Sequence, residues 1–404
     1  MIIKNSLFFP IIAIATVLSS CSNNRSDVIG VREGTAIVVD ASNVRDTADI
    51  ALSKWVENLE MIQFDDSTIE AFFAYPFISI SDNYIGMFED GKPFKLFDRK
   101  SGKFLYRIGD IGRGPGEYQN LYSAQIDEAA DRIYLMYWPY CTQILAFDLK
   151  GKFVGPIPLA SPTSKGHFRV DSKNKRVIVS TIPMPAGRNP TPEIAWQQDF
   201  EGMVTGREDG ASFALHNPNF DNEVFRTGNT MDYDFQISTS SPVDKIEYLY
   251  RYHTGENILE PVFKTIVKDR GMNSGYTLFV SYTELPECFI CHVTKSTRSE
   301  RRGYWNYQRK ILFVNKKDLT GAWFRLHNDF LGIDNIELST TGGYYQGAYF
   351  MGGYFIQIFD PSAFINILKK AELRSSGERF DRILSMRRSI KEDGNSILVF
   401  GKLK

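Results

Sequence analysis

The feature that most constrains the fold of this chain is a hairpin motif that recurs along it. Residues 97–104 read FDRKSGKF, and residues 147–153 repeat the pattern in shorter form as FDLKGKF. A weaker copy begins at Phe200, and more distant copies begin at Tyr252 and Val314. Each copy places one strand before an Asp or Asn and Gly reversal and a second strand after it. The copies start about 50 residues apart, which indicates a repeated structural unit.

The surrounding pattern predicts an all-β fold. From Leu59 to about residue 360, short runs of β-branched and aromatic residues alternate with Gly, Asp and Asn, and few windows have helical periodicity. About four strands per repeat is the content of one β-propeller blade. A blade cannot bury both of its faces alone, so the copies must stack around an axis. Five visible copies and one closing blade predict a six-bladed β-propeller with four-stranded blades over residues 51–404.

The two chain ends are expected to complete the closing blade. Residues 56–64 and residues 396–404 both have strand patterns, and pairing them removes two open sheet edges. Two helices are predicted just before the final strand, over about residues 361–391. Asp360 is a typical N-cap, Pro361 suits the first helical position, and apolar residues follow at helical spacing.

The N-terminus predicts export and a lipid anchor. Lys4 precedes an apolar run over residues 7–18, and small residues then lead to Cys21. This order is typical of a lipoprotein signal that is cleaved before Cys21, whose thiol then carries the lipid. The polar residues 22–50 are interpreted as a tether between that lipid and the propeller. Ser22 follows the cleavage site without an acidic run, which favours the periplasmic side of the outer membrane over the cell surface.

The composition limits the classes of partner. Hydrophobic residues make up 43% of the chain and aromatic residues 14%, which is enough for a packed core. The net charge is −1 with acids and bases interspersed, and this argues against a nucleic-acid surface. The expected partners are the membrane, through the lipid, and a glycan, a peptide or an envelope protein.

Three stretches resemble the six-bladed β-propeller lipoproteins of Bacteroides and its relatives, a large family mostly of unknown function. The first is the lipoprotein signal with its polar tether. The second is residues 108–118, IGDIGRGPGEY, which are similar to the family's glycine-rich link after a blade's outgoing strand. The third is residues 390–399, IKEDGNSILV, where Asn395-Ser396 stands in place of the usual Asn-Pro. The resemblance implies a propeller fold and an envelope location, and it supplies no catalytic residues.

The glycine-rich link does not match a phosphate-binding loop. It lacks the terminal Gly-Lys-Ser/Thr, and it follows a strand with no helix after it. Its Gly and Pro residues are interpreted as setting the turns of a crossing between blades. Arg113 and Glu117 on this link are candidate ligand contacts.

Residues 288–292 read CFICH, which is the pattern of covalent haem attachment. They lie in a strand-like run, where Cys288 and Cys291 would point to opposite faces, whereas attachment needs both thiols and His292 on one side. Haem attachment is therefore not expected. The five His residues show no metal-ligand spacing, and no HExxH or nucleophile-elbow motif occurs. The sequence predicts neither a metal nor a cofactor.

Two aromatic clusters are the remaining candidates for ligand contact. Their members are Tyr137, Trp138 and Tyr140 in one cluster, and Tyr304, Trp305 and Tyr307 in the other. Exposed rings would stack on sugars or on partner side chains, whereas buried rings would fill space between blades. The sequence leaves both alternatives open.

The sequence favours a non-enzymatic binding or scaffolding module, because no recognised catalytic constellation accompanies the repeat and the anchor. A ligand would bind at the mouth of the central channel, where loops from every blade converge. The alternative is a hydrolase or lyase that acts on polysaccharide or peptide with acids from several blades. Carboxylates that converge in the channel with perturbed pKa values would favour that alternative.

Overall fold

The strands of the protein form six consecutive antiparallel sheets around one axis. The computed structural model describes residues 27–74, 76–184, 191–215, 222–239, 247–267, 276–299, 305–339 and 347–404. Within these ranges the chain forms 30 strands and two α-helices. The predicted six-bladed propeller is confirmed.

The first three blades are four-stranded meanders, and four strands precede them. The preceding strands are β1 (Gly30–Glu33), β2 (Ala36–Asp40), β3 (Thr47–Ala51) and β4 (Glu60–Gln63). Blade 1 contains β5 (Phe77–Ile80), β6 (Tyr84–Phe88), β7 (Phe94–Asp98) and β8 (Phe104–Ile108). The short parallel pair β9 (Asp110–Ile111) and β10 (Glu117–Tyr118) follows. Blade 2 contains β11 (Asn120–Asp127), β12 (Arg132–Trp138), β13 (Cys141–Phe147) and β14 (Phe153–Thr163), and blade 3 contains β15 (Gly166–Asp171), β16 (Arg176–Thr181), β17 (Glu193–Asp199) and β18 (Val204–Asp209).

The last three blades follow the same order, with additions at their edges. Blade 4 contains β19 (Glu223–Phe225), β20 (Asp234–Ser238), β21 (Leu249–His253) and β22 (Ile258–Ile266). Blade 5 contains β23 (Tyr276–Glu284), β24 (Cys288–Arg298), β25 (Trp305–Asn315), β26 (Gly321–Asn328) and the short β27 (Ile333–Ile336). Blade 6 contains β28 (Tyr349–Met351), β29 (Tyr354–Phe359), β30 (Ile397–Lys402) and the early strand β4.

Both ends of the chain close the ring, as the strand patterns predicted. β4 pairs antiparallel with β30, with Gln63 opposite Ile397 and Glu60 opposite Phe400. Blade 6 therefore takes three strands from the end of the chain and its fourth from the beginning. This pairing covers two sheet edges that would otherwise remain open.

The sequence predicted a tether over residues 22–50, but strands β1, β2 and β3 lie in or overlap this segment and belong to the folded body. β2 adds in parallel to β22 of blade 4, and β3 adds in parallel to β26 of blade 5. The four residues from Ala36 to Val39 are buried in this contact. The segment is polar on average, but the run Ala-Ile-Val-Val gains more from burial at a sheet edge than from remaining in solvent.

Two helices lie between β29 and β30, where the sequence predicted them. They are α1 (Pro361–Glu372) and α2 (Gly377–Ser389). The Asp360 side chain accepts a hydrogen bond from the Ala363 N–H at 2.9 Å and caps α1. Phe364 and Leu368 of α1 are fully buried, and Ile383 is the buried residue of α2. Among the described residues, no helix has the length and apolar character that a membrane crossing needs.

Aromatic side chains fill the interfaces between neighbouring blades. Between blades 4 and 5, the rings of Phe263 and Phe289 stack with their centroids 4.6 Å apart. Between blades 5 and 6, Trp55 packs edge-on against Phe324 and Phe350, with centroids 5.6 and 5.8 Å away. Such ring pairs contribute roughly 0.5–1.5 kcal/mol beyond their burial. These contacts hold the blades that surround the site described below.

The two sides of the disc carry different connections. In an antiparallel four-stranded blade, the turns after the first and third strands emerge on the same side, which we call the turn face. The turn after the second strand and the link to the next blade emerge on the opposite side, which we call the link face. The glycine-rich link and the first aromatic cluster belong to the link face.

Candidate functional site

The glycine-rich link is a structural turn between blades 1 and 2. Gly109 has a φ of +69°, and a Cβ placed there would meet the carbonyl oxygen of Gly116 at 2.8 Å, so the turn requires glycine. Tyr118 at the end of the link is buried. Its hydroxyl accepts a hydrogen bond from the Phe94 N–H and donates one to the Ile108 carbonyl, both at 2.7 Å. The hydroxyl therefore fastens the link to the outgoing hairpin of blade 1.

The two candidate contacts on this link are exposed. The Glu117 carboxylate accepts a hydrogen bond from the Gly114 N–H at 2.7 Å, so it closes its own loop. Arg113 lies on the same loop and is exposed to solvent. A role for Arg113 and Glu117 in ligand contact stays a prediction.

The first aromatic cluster is only partly open to solvent. Tyr137 and Trp138 at the end of β12 are half-buried, whereas Tyr140 is 41% exposed. The Tyr137 hydroxyl lies 3.2 Å from Thr142 Oγ1 across the turn. Tyr140 is thus the ring of this cluster with the most surface for a partner.

The remaining predicted positions lie beyond what the structure describes. Cys21 and Tyr304 are outside the described residues. Trp305 and Tyr307 belong to the backbone of β25, but their side chains are outside the described part of the chain. Lipid attachment at Cys21 and ligand contact by this second aromatic cluster stay predictions.

The CFICH stretch forms the first half of β24. Cys288 packs with Phe313 on one face, and Cys291 packs with Phe289 on the other, as the alternation of a strand requires. Burial raises the pKa of the Cys288 thiol to about 12 and lowers the pKa of His292 to about 4. The three side chains are buried and do not converge. Among the described residues, no cluster of His, Cys, Asp and Glu has the form of a metal site.

A polar cluster joins the inner strands of blades 2, 3 and 4 at the central channel. Lys165 Nζ lies 2.5 Å from Glu223 Oε1, and the Tyr122 hydroxyl donates to Glu223 Oε2 at 2.5 Å. His167 Nε2 lies 3.0 Å from the Val224 carbonyl oxygen, and burial lowers the pKa of His167 to about 3. These groups bond to one another across three blades, so we interpret the cluster as structural: it holds neighbouring blades together.

The main candidate site is a cleft of about 740 Å³ between blades 4, 5 and 6 on the turn face. Its volume lies within the roughly 300–1,000 Å³ typical of small-molecule sites. The β1–β2 hairpin, the turn after β23 and the turn after β28 contribute to its wall. The polar residues of the lining are Arg32, Thr35, Asn229, Thr230, Asp232, Arg251, Glu260, Glu284 and Lys316.

A loop over residues 226–233, between β19 and β20, forms one side of the cleft, and we call it the strap. The Asn229 amide donates hydrogen bonds to the Glu284 and Phe350 carbonyl oxygens, both at 3.2 Å, and it accepts one from the Gly353 N–H at 3.2 Å. The strap of blade 4 is thereby bonded to blades 5 and 6. These bonds position the side chains that the strap presents to the cleft.

Charged side chains in the cleft are paired with one another. Glu284 is 1% exposed, and its Oε1 accepts hydrogen bonds from Arg251 Nη2 at 2.8 Å and from Lys316 Nζ at 2.6 Å. Arg251 Nε also lies 3.0 Å from Asp232 Oδ2. The lining as a whole balances three cations against three acids, namely Arg32, Arg251 and Lys316 against Asp232, Glu260 and Glu284.

Several buried polar atoms in or beside this cleft lack a hydrogen-bond partner within the part of the chain that the structure describes. Glu284 Oε2, Thr230 Oγ1 and the neighbouring Asp234 Oδ1 are buried, and none has a hydrogen-bond partner among the described residues. Burial raises the pKa of Asp234 to about 6; nearby Arg226 opposes this rise and Glu284 adds to it. An unpaired buried polar group costs about 1–3 kcal/mol, and proteins generally avoid it. The site therefore has unused hydrogen-bonding capacity.

Sequence reasoning did not find this cleft. The Arg32 guanidinium donates to the Lys316 carbonyl oxygen across 284 positions of the chain, so no local motif brings the wall together. Glu284 is the last residue of β23, a place where an acidic residue ordinarily indicates a solvated turn. The sequence does not distinguish Lys316 from the lysines in the turns of the earlier copies, at residues 97–104 and 147–153.

A comparison with protein families found one match, a domain of unknown function, DUF4934, over residues 35–402. The match covers most of the chain, which therefore belongs to the DUF4934 family. A search of curated proteins found no match.

Solved structures with a similar fold include a protein from Bacteroides fragilis whose name describes it as a candidate exported protein. It is 14% identical, the match covers 89% of this chain and 98% of that chain, and the TM-score is 0.56. The computationally designed protein Ika8 is 8% identical over 76% of this chain and 85% of its own, with a TM-score of 0.35. The WD40 propeller domain of Doa1 is 9% identical over 65% of this chain and 96% of its own, with a TM-score of 0.30. The similarity to the Bacteroides fragilis protein shows a shared fold and nothing more.

Proposed function

We propose that this member of the DUF4934 family is an exported, lipid-anchored β-propeller that binds a glycan, a peptide or a partner protein at the cell envelope. The turn-face cleft is the binding site. The observation that carries the proposal is Glu284, which lines the cleft, is almost fully buried, and keeps one carboxylate oxygen without a partner among the described residues.

The energetics of Glu284 favour binding over a purely structural role. A salt bridge that only holds a fold satisfies its remaining lone pairs with further hydrogen bonds, because desolvation of the charges is costly. Here Oε1 receives both cations, while Oε2 receives no donor from the described residues. A ligand that donates a hydrogen bond to Oε2 recovers part of that cost on binding. Because hydrogen bonds already hold the strap in place, ligand binding should cost little conformational entropy in this loop.

The envelope location is supported by two observations. Residues 1–21 have the sequence pattern of a lipoprotein signal, and a protein of similar fold from Bacteroides fragilis is named as a candidate exported protein. Lipid on Cys21 would hold the protein to the outer membrane, with the periplasmic side favoured by Ser22 and the residues after it.

One observation favours the alternative, a hydrolase or lyase of polysaccharide or peptide. Burial raises the pKa of Asp234 to about 6, and nearby Glu284 adds to that rise. Glu284 is bound by two cations, however, and Asp234 is not among the residues that line the cleft, so the two carboxylates do not form an acid–base pair that faces a substrate there. Cleavage of a glycan or peptide by the pure protein, abolished by Asp234→Asn, would replace the binding proposal with this alternative.

A rim substitution tests the binding site. Met231 on the strap is 91% exposed at the edge of the cleft, and Met203 is 69% exposed on the turn between β17 and β18. Neither side chain contributes to the core, so Met231→Arg and Met203→Arg should both leave stability unchanged within about 0.5 kcal/mol. Full-length protein in detergent would be screened by thermal shift and calorimetry against oligosaccharides and peptides.

The two variants should differ in affinity once a ligand is found. Met231→Arg adds a long cation to the rim and should weaken binding about tenfold or more, which corresponds to roughly 1.4 kcal/mol. Met203→Arg should bind as the wild type does. Equal affinity of both variants would place the ligand elsewhere on the propeller and contradict the proposed site.

A further inference from the structure

We infer that the ligand of the turn-face cleft is a neutral saccharide that is recognised through its hydroxyl groups. This ligand class rests on the binding function proposed above. It follows from the charge balance of the cleft, from the type of its unused polar atoms, and from the position of its apolar side chains.

The charge balance disfavours a charged ligand. Glu284 and Asp232 both lie within 3.0 Å of Arg251, and Lys316 adds a second cation on Glu284. An anionic ligand would have to compete with these carboxylates for the cations. A cationic ligand would meet Arg251, Lys316 and Arg32 in the same wall. Separating paired charges in a partly buried site is costly, so a neutral ligand is the one that leaves the pairs intact.

The unused atoms match a hydroxyl group. Glu284 Oε2 can only accept, whereas Thr230 Oγ1 can donate and accept, and both are without partners among the described residues. A saccharide hydroxyl likewise donates one hydrogen bond and accepts others. A hydroxyl bonded to an ionised carboxylate also forms a stronger bond than one bonded to a neutral acceptor. A saccharide therefore carries the kind of group that both Glu284 Oε2 and Thr230 Oγ1 lack.

The apolar residues of the lining do not form the anchor pocket that a peptide or protein requires. Protein partners insert large side chains into apolar pockets at the centre of an interface. Ile37, Val262 and Phe289 line the cleft, but each is at most 8% exposed. Met231 and Pro286 are the exposed apolar residues of the described lining. They offer two small surfaces at the rim, which suit the C–H faces of a sugar ring.

A matched pair of Thr→Val variants tests the ligand class. Thr230 Oγ1 and Thr265 Oγ1 are both buried without partners among the described residues, but Thr265 lies on β22 outside the lining. Thr→Val keeps the shape and removes the hydroxyl, so both variants should fold. Full-length protein in detergent would be titrated by calorimetry with neutral gluco-, galacto-, manno- and xylo-oligosaccharides, with oligogalacturonate, with chitosan oligomers and with a tripeptide mixture.

The possible outcomes test two claims independently, namely the chemical class of the ligand and the location of its site. A neutral oligosaccharide should bind, and Thr230→Val should weaken it about three- to tenfold while Thr265→Val leaves it unchanged. Binding of oligogalacturonate, chitosan or peptide with the same sensitivity to Thr230→Val would keep the site and overturn the neutral class. If no probe responds to Thr230→Val, the inference and the proposed site both fail.

Discussion

We predict that the buried hydroxyl of Tyr118 contributes strongly to stability by holding the glycine-rich link against blade 1. Tyr118 is 2% exposed, and its hydroxyl bonds to the Phe94 N–H and to the Ile108 carbonyl at the open end of one hairpin. Tyr118→Phe removes only the oxygen. Because Phe has nearly the same volume, no cavity adds to the effect, and the change isolates the two hydrogen bonds.

The magnitude follows from the two backbone groups that lose their partner. Each buried group left unsatisfied costs about 1–3 kcal/mol. The Ile108 carbonyl has a second lone pair and should lie at the lower end of that range. We therefore expect Tyr118→Phe to lower the free energy of unfolding by about 3 kcal/mol, and the Phe94 amide to exchange its hydrogen faster.

Two variants calibrate this measurement. The Tyr282 hydroxyl makes an equivalent pair of bonds, accepting from the Thr265 N–H at 2.9 Å and donating to the Glu247 carbonyl at 3.1 Å. Tyr282→Phe should cost about 2–3 kcal/mol. Tyr106 is 40% exposed, and Tyr106→Phe should change stability by less than about 0.5 kcal/mol. Urea unfolding followed by fluorescence measures all three, and a Tyr118→Phe loss no larger than that of Tyr106→Phe would refute the reasoning.

Two further predictions concern groups whose pKa is shifted by burial. Burial raises the pKa of Asp234 above its usual value to about 6, so the folded state binds more protons than the unfolded state and loses stability as the pH rises from about 4 to 6. Asp234→Asn should then be more stable than the wild type by up to about 3 kcal/mol near neutral pH, a difference that vanishes toward pH 4 in pH-dependent urea unfolding; equal stability at all pH values would contradict it. Burial raises the pKa of Cys141 and Cys288 to about 12, and Cys291 is fully buried. These three thiols should react with Ellman's reagent only after denaturation, and rapid reaction of the native protein would be the contrary result.

Much of the architecture could be predicted because it depends on local patterns that repeat. The reversal near Phe97 and its copy near Phe147 each specify a hairpin, and their spacing specifies blades. Asp360 and Pro361 specify the start of α1 in the same local way. The N-terminal additions could not be predicted in this way, because the burial of residues 36–39 depends on the outer edge of blade 4, which the local sequence does not contain.

The site could not be predicted because its residues are far apart in the sequence and come together only in the folded protein. Glu284 ends one strand, Arg251 lies in the middle of another, and Lys316 begins a turn of a third hairpin. Each residue taken alone is an ordinary charged residue of a turn or strand. Only the stacking of blades 4 and 5 buries Glu284 in the wall of the cleft and leaves one of its oxygens without a partner among the described residues. The glycine-rich link and the first aromatic cluster lie on the link face, and the cleft lies on the turn face.

The most direct test of the central claim, that the turn-face cleft is a binding site for a neutral saccharide, is oxidative footprinting of methionine. Full-length protein in detergent would be exposed to hydrogen peroxide with and without a saturating neutral oligosaccharide from the titrations, and sulfoxide would be quantified by mass spectrometry. Met231 is 91% exposed at the cleft, and Met203 is 69% exposed away from it. The saccharide should protect Met231 and leave the oxidation rate of Met203 unchanged. An unchanged rate at Met231 under saturating ligand would contradict the assignment of the cleft.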